Sequence, residues 1–280
     1  MPNIQIVSRQ RHSQVRWQAV ENYLAVAQDA VVPLVMAELP KAQATMPLAF
    51  VVTGEGDGAQ YVPVAVLGLG AGRNLWVAPD GRWLGAYIPA AYRSRPFLLA
   101  NTEQGQQVLC IEEDIGLPGG DAGAKGEAFF TEAGEPAPAV ATMLHFLTEV
   151  ETSRAATARI CAVLQRHNLF QPWPISVQTD VGNQPLSGLF RINEAAFNAL
   201  PAEALLQIHE AGALALVFCQ LLSMQHLPRL GELAQLHAQA AQVAQVAQAE
   251  QAARMQVRTT PTGELDLEFL NHGGTLRFGA

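Results

Sequence analysis

Between Arg82 and Phe97 the chain sets three arginines and two prolines among aromatic residues, although only 15 % of the sequence is charged. The turn Pro79-Asp80-Gly81 opens this strip, because proline presets φ and glycine supplies a positive φ. Pro89 and Pro96 bias Ile88 and Arg95 away from helix, so the strip is read as extended or irregular. A guanidinium is a rigid fan of donors, seldom placed among aromatics without a carboxylate, a carbonyl or a ring to meet. Two readings follow. Arg93 and Arg95 staple this connection onto the domain, or one of them receives an anion or the carboxylate of a peptide, with Trp83, Tyr87 and Phe97 beside it as binding residues. Arg93, after the apolar run Ala90-Ala91-Tyr92, is expected to be structural. Arg95, beside Pro96, is expected to be exposed.

A chain of 280 residues, 49 % of them hydrophobic, fills one large domain or two ordinary ones. Its net charge of −8 offers no basic stripe for phosphates, which argues against nucleic acid and disfavours an anionic membrane surface. Cys110, Cys161 and Cys219 stand singly among apolar residues. An odd, scattered set reads as reduced thiols in a core, not as a disulfide framework. The opening Met-Pro-Asn-Ile-Gln-Ile-Val lacks the basic region and apolar run of a signal peptide. The longest apolar run, Ala211 to Met224, is broken by Gln220 and Ser223 and falls short of the roughly 20 residues that span a bilayer. The expectation is a cytoplasmic protein with no membrane span.

Hydrophobic periodicity orders the rest. Helices are expected over 16–28 and 32–44, then strands over 48–52 and 61–67. Gly68-Leu69-Gly70-Ala71-Gly72 is neither GxGxxG nor a Walker loop. A strand-like run over 73–77 follows it, not the helix N-terminus that phosphate binding needs, so it reads as a hairpin turn. Strands are expected at 97–99 and 107–112. Helices follow over 138–150 and 153–168, with Ser153 as an N-cap. Strands come next at 175–179 and 186–192, and Asn193 caps a short helix. Pro201 opens a longer helix to about Leu227, apolar nearly all round from Ala213 to Leu222, with Phe218 in the middle of the core. From Gly231 to Met255 the chain is Ala- and Gln-rich, and Leu233, Leu236, Ala240, Val243 and Ala247 follow a three-four alternation. That seam suits a homodimer through the Ala/Gln-rich helix. Two strand-like pieces over 265–278 end the chain.

The expected organisation is a strand-rich region with N-terminal helices over 1–115, and a connecting loop over 116–137. A helical region with inserted strands covers 138–256, and a C-terminal hairpin covers 257–280. The fold class is α+β: a mostly antiparallel sheet from the first half, covered by helices mainly from the second.

Chemistry has little foothold in these residues. His12, His145, His167, His209, His226, His237 and His272 fall in no HExxH, HxD/E or ExxH arrangement, which removes sequence support for zinc, facial-triad iron and di-iron sites. Ser187 stands in Pro-Leu-Ser-Gly-Leu and not in a nucleophile elbow. Cys161 and His167 are six apart on one helix and do not share a face. Glu112, Glu113 and Asp114 follow a strand, where they serve as acid and base or simply end it in solvent. No cofactor motif is present.

The segments Trp83-Leu84-Gly85-Ala86-Tyr87-Ile88-Pro89-Ala90 with Arg93 and Pro96-Phe97 carry a family resemblance. So do Gly126-Glu127-Ala128-Phe129-Phe130 with Gly134-Glu135-Pro136, and Leu186-Ser187-Gly188-Leu189-Phe190-Arg191-Ile192-Asn193-Glu194. Gly212-Ala213-Leu214 and Leu221-Leu222-Ser223-Met224 complete it. Over about Trp17 to Leu230 the chain resembles the bacterial SapC family. Members are often labelled peptide-transport permeases, a label at odds with a chain in which no span is read. The resemblance implies no catalytic residues. A non-catalytic accessory protein binding a peptide or protein partner is therefore the preferred expectation, beside uptake or peptide-modifying machinery. The alternative is an enzyme whose site is assembled from dispersed residues, with Arg93, Arg95 and Glu112 as candidates.

Overall fold

Leu48–Thr53 and Gln60–Val66 are short runs rich in β-branched and aromatic residues bounded by a glycine-rich turn, which is how a hairpin is specified. The computed structural model describes residues 3–70, 72–117, 126–179 and 182–255. In it these runs form an antiparallel hairpin, with Leu48 opposite Ala65 and Thr53 opposite Gln60. In chain order the strands are β1 (Ile4–Ile6), β2 (Arg16–Trp17), β3 (Val31–Pro33), β4 (Leu48–Thr53), β5 (Gln60–Val66), β6 (Phe97–Asn101) and β7 (Gln107–Glu112). They continue as β8 (Glu127–Ala128), β9 (Phe170–Pro172), β10 (Ile175–Thr179), β11 (Gly182–Leu186) and β12 (Phe190–Ile192). The largest sheet runs β3-β5-β4-β12-β9, a second runs β1-β7-β6, and β2-β8 and β10-β11 are separate pairs. Among the described residues every strand pairing is antiparallel.

The helices are α1 (Arg9–His12), α2 (Leu39–Ala42), α3 (Ala90–Arg93), α4 (Glu113–Gly116), α5 (Pro138–Arg166), α6 (Glu194–Asn198), α7 (Ala202–Glu210), α8 (Leu214–Ser223) and α9 (Leu227–Met255). The fold is α+β, with antiparallel sheets and most helix in the C-terminal half. The chain divides into two compact units, residues 1–234 and 235–280. The strand-rich residues 1–115 and the helices up to residue 234 both lie in the first. In the second, the described part is the continuation of α9 to Met255. The hairpin expected over 265–278 lies outside the described residues. Among the described residues no single helix is long and apolar enough to cross a membrane.

Among the described residues of the first unit, two hydrophobic cores are seen. The larger gathers Phe50, Leu67, Trp76, Leu164, Ile192 and Val217 with their neighbours. The smaller gathers Trp17, Phe97, Ile111, Phe129, Val140 and Leu147. α5 serves both, giving Val140 and Leu147 to one and Ile160, Cys161 and Leu164 to the other.

Several local expectations are corrected. Residues 16–28 are not a helix: Trp17 is drawn into the smaller core, its ring 4.7 Å from that of Phe97. The Asn22 side chain accepts from the Leu24 amide at 2.8 Å, the local bond by which asparagine competes with helix. Residues 32–44 break into β3, a 3-10 turn at Met36–Glu38 and α2. Residues 73–77 form no strand, because the buried Asn74 side chain bonds Val26 O and the Trp76 amide instead. The expected helices over 138–150 and 153–168 are one, and Ser153 sits inside it. The expected helix from Pro201 is two, parted at Gly212, whose φ of 72° only glycine adopts without strain. α8 is not apolar core all round: Leu216 and Val217 are buried, but Phe218 is 50 % exposed.

Candidate functional site

The strip is held from α5. Ser153 and Thr157 stand one turn apart on that helix. Ser153 Oγ accepts from the Ala37 amide at 3.2 Å and Thr157 Oγ1 from the Met36 amide at 2.9 Å. These hydroxyls satisfy donors that a turn's N-terminus leaves open, and so fix the 3-10 turn that carries Glu38. The Val35 amide donates to Glu38 Oε2 at 3.2 Å. Glu38 Oε1 accepts from the Tyr87 hydroxyl at 2.8 Å and from the Ala90 amide at 2.6 Å. Glu38 is 5 % exposed, and a buried carboxylate has to be met by such donors. Its grip turns Ala90–Arg93 into a single turn of helix, where the sequence reads as extended or irregular.

Trp83 and Tyr92 complete the packing. Trp83 Nε1 donates to Tyr87 O at 2.8 Å. The Trp83 ring lies near-parallel to Trp76, with centroids 6.2 Å apart, and edge-on to Tyr92. A Cβ on Gly85 would lie 2.9 Å from the Trp76 ring and 2.8 Å from Trp83 Nε1, so this approach needs glycine. The Tyr92 hydroxyl donates to Asp29 Oδ2 at 2.8 Å. Burial, and then Asp29, push its pKa well above that of a free phenol. Burial also pushes Tyr87 up, to about 12, with Glu38 adding to the effect.

The two arginines exchange the roles expected of them. Arg95 Nη2 meets Glu112 Oε2 at 2.6 Å, and the two side chains are 18 % and 17 % exposed. Arg95 is the staple. Arg93 is exposed. Its Nε donates to Ile88 O at 2.9 Å and its Nη2 to the Tyr87 hydroxyl at 3.3 Å. Its Cζ lies 4.9 Å from the centre of the Phe146 ring and 5.6 Å from that of Tyr87. Among the described residues no carboxylate pairs with it. The expectation failed because distance from a proline says nothing about what lies across the fold, where Glu112 on β7 faces Arg95. Phe97 is also withdrawn from any binding surface: it is 1 % exposed, in the smaller core.

Of the acidic run at the end of β7, Glu112 and Glu113 are largely covered and ion-paired, while Asp114 is exposed. Glu113 takes Arg11 through both oxygens, at 2.6 and 2.7 Å, and lies 3.3 Å from His12 Nε2. Arg11, first through its hydrogen bond, holds the Glu113 carboxyl below the usual carboxylate range. Asp114 accepts from the Asn3 amide at 2.7 Å. These carboxylates tie the N-terminal residues to β7. Of the three residues offered for an enzyme, Arg95 and Glu112 meet as an ion pair, while Arg93 contacts Ile88, Tyr87 and Phe146 instead. Among the described residues no group of His, Cys, Asp and Glu could hold a metal ion.

Sequence reasoning missed Glu38, Asp29 and Phe146. Glu38 had a signal, since Val35 and Glu38 stand at reciprocal capping-box spacing, but an apolar residue at the cap hides it. The other two reach the strip only through the fold. A groove of about 560 Å³ lies between β5 and the middle of α5, walled by Leu34, Val62, Pro63, Thr152, Ala155 and Ala158 among others.

The profile of the SapC family matches residues 7–230, thus taking in the strip, Glu38, α5, the smaller core and the larger core up to Leu230. No curated protein and no solved structure matches the chain. With four-fifths of its length matched, the chain belongs to the SapC family.

Proposed function

We propose that this protein is a non-catalytic accessory protein of the cytoplasm that binds a peptide or protein partner, beside uptake or peptide-modifying machinery. Arg93 receives a carboxylate of that partner. The observation that carries the reading is the exposed guanidinium, set in place by a carbonyl, a phenol and two rings, with no carboxylate among the described residues to neutralise it. A cation held in advance loses little rotamer freedom on binding, and its planar fork suits a carboxylate. The groove between β5 and α5 is of a size that takes small ligands or short chain segments.

Titration calorimetry with short peptides bearing a free C-terminal carboxylate tests this. Saturable binding is expected, weakened about tenfold by amidating the C-terminus, the equivalent of one charge-assisted hydrogen bond. Arg93→Lys keeps the charge and loses the fork, and weakens binding likewise. Equal affinity for free and amidated peptides, or for wild type and Arg93→Lys, would overturn the assignment.

A further inference from the structure

In the second unit, α9 leaves a stripe of apolar side chains uncovered among the described residues. Leu236 is 51 % exposed and Val243 is 71 % exposed. No Asp, Glu, Lys or Arg stands between Glu232 and Glu250, so this length of helix cannot form the carboxylate–lysine or carboxylate–arginine pairs that support a solvated one. At 3.6 residues per turn, Leu236, Ala240, Val243 and Ala247 fall within about 60° of one another.

The four residues are separated by four, three and four positions, a spacing that reads the same in both directions. Their sizes do not: large, small, large, small becomes small, large, small, large on reversal. Two copies laid antiparallel about an axis between residues 241 and 242 therefore set Leu236 against Ala247 and Val243 against Ala240, twice each. A two-fold contact requires this reciprocity, and alternating large with small fills each layer. Parallel pairing would stack Ala240 on Ala240 and leave that layer underfilled.

We propose that α9 pairs antiparallel with α9 of a second copy of this chain, through Leu236, Ala240, Val243 and Ala247. The uncharged stretch offers nothing to a charged partner and suits its own copy. A contact of about three turns is smaller than the roughly 1,200–2,000 Å² of a stable complex, so the dimer is weak and concentration-dependent.

Sedimentation equilibrium of the full chain from about 1 μM to 1 mM, a range that brackets weak association, provides the test, with two double variants. Ala240→Lys/Val243→Lys sets like charges against each other in any seam through these positions. Ala240→Glu/Val243→Lys sets opposite charges against each other only if the helices are antiparallel. Both use good helix formers at uncovered or half-covered positions, and circular dichroism checks that the helix content is kept. The expected result is a wild-type monomer–dimer equilibrium, at least tenfold weakened in the Lys/Lys variant and restored toward wild type in the Glu/Lys variant. Three results would overturn the proposal. One is a wild type monomeric throughout, its stripe covered by residues 256–280 or by another protein. Another is a dimer indifferent to the Lys/Lys change. The last is equal loss in both variants, the mark of parallel pairing.

Discussion

The hydroxyl of Tyr87 stands between opposite charges: it donates to Glu38 at 2.8 Å and accepts from Arg93 at 3.3 Å. The buried carboxylate and the exposed cation are thus joined through one phenol, and the outer residue depends on the inner one for its position.

Removing Glu38 should therefore loosen the whole strip. Glu38→Ala strands the Ala90 and Val35 amides and the phenol, and hydrogen bonds to a charged group contribute about 1.5–3 kcal/mol. A loss of about 3 kcal/mol is expected by urea denaturation. A loss below about 1 kcal/mol would mean that water replaces the carboxylate freely.

Tyr87 makes stability sensitive to alkali. Its folded pKa, about 12, lies above the ordinary 10.0, so its contribution is complete below pH 10 and is lost as pH rises toward 12. Tyr87→Phe should flatten the fall in melting temperature over that window. An unchanged alkaline profile in this variant would refute the assignment.

The arginines should separate by stability. Arg95→Ala leaves Glu112 mostly buried and unpaired, and breaking a largely buried pair costs up to about 3–5 kcal/mol, reduced here by partial exposure. Arg93→Ala should stay within about ±0.5 kcal/mol, as surface changes do. Chemical denaturation of both variants decides it, and equal losses would undo the distinction.

On α8 the expected order is reversed from one based on size. Phe218→Ala should cost about 1 kcal/mol, since half of the ring is already in water. Val217→Ala, at a fully buried position, should cost more, about 2 kcal/mol. A larger loss at Phe218 would mean that another surface covers it.

The thiols should differ in reactivity. Burial pushes Cys161 up to about 12 and raises Cys110 and Cys219 as well. Since the thiolate is the reactive form, native protein should react slowly with a thiol reagent, half-buried Cys219 first and Cys161 last. Rapid reaction of Cys161 would place it at an opening of the core.

What the sequence displayed was what neighbours along the chain decide. The β4–β5 hairpin, the Asn193 cap, whose side chain accepts from the Ala196 amide at 3.0 Å, and the run of α9 were all legible. Residues 16–28 were not, because Trp17 answers to Phe97, far along the chain. Ser153 looks like a helix start to local reasoning, but its hydroxyl is taken by Ala37 and α5 runs straight past it. Within the strip the importance of the arginines was visible, but not their division of labour. That depended on Glu112 and Phe146, which only the fold brings near.

α5 has one further effect. Its 29 residues make a rod about 43 Å long at 1.5 Å per residue, with one end bedded in the smaller core and the other in the larger. The strip ties the same two cores by a second route, with Trp83 packed against one and Phe97 buried in the other. Two such struts leave neither core free to shift alone. A disturbance at Phe129 has to be felt at Trp76, and the first unit should melt as one body, with tryptophan fluorescence and backbone ellipticity tracing a single curve.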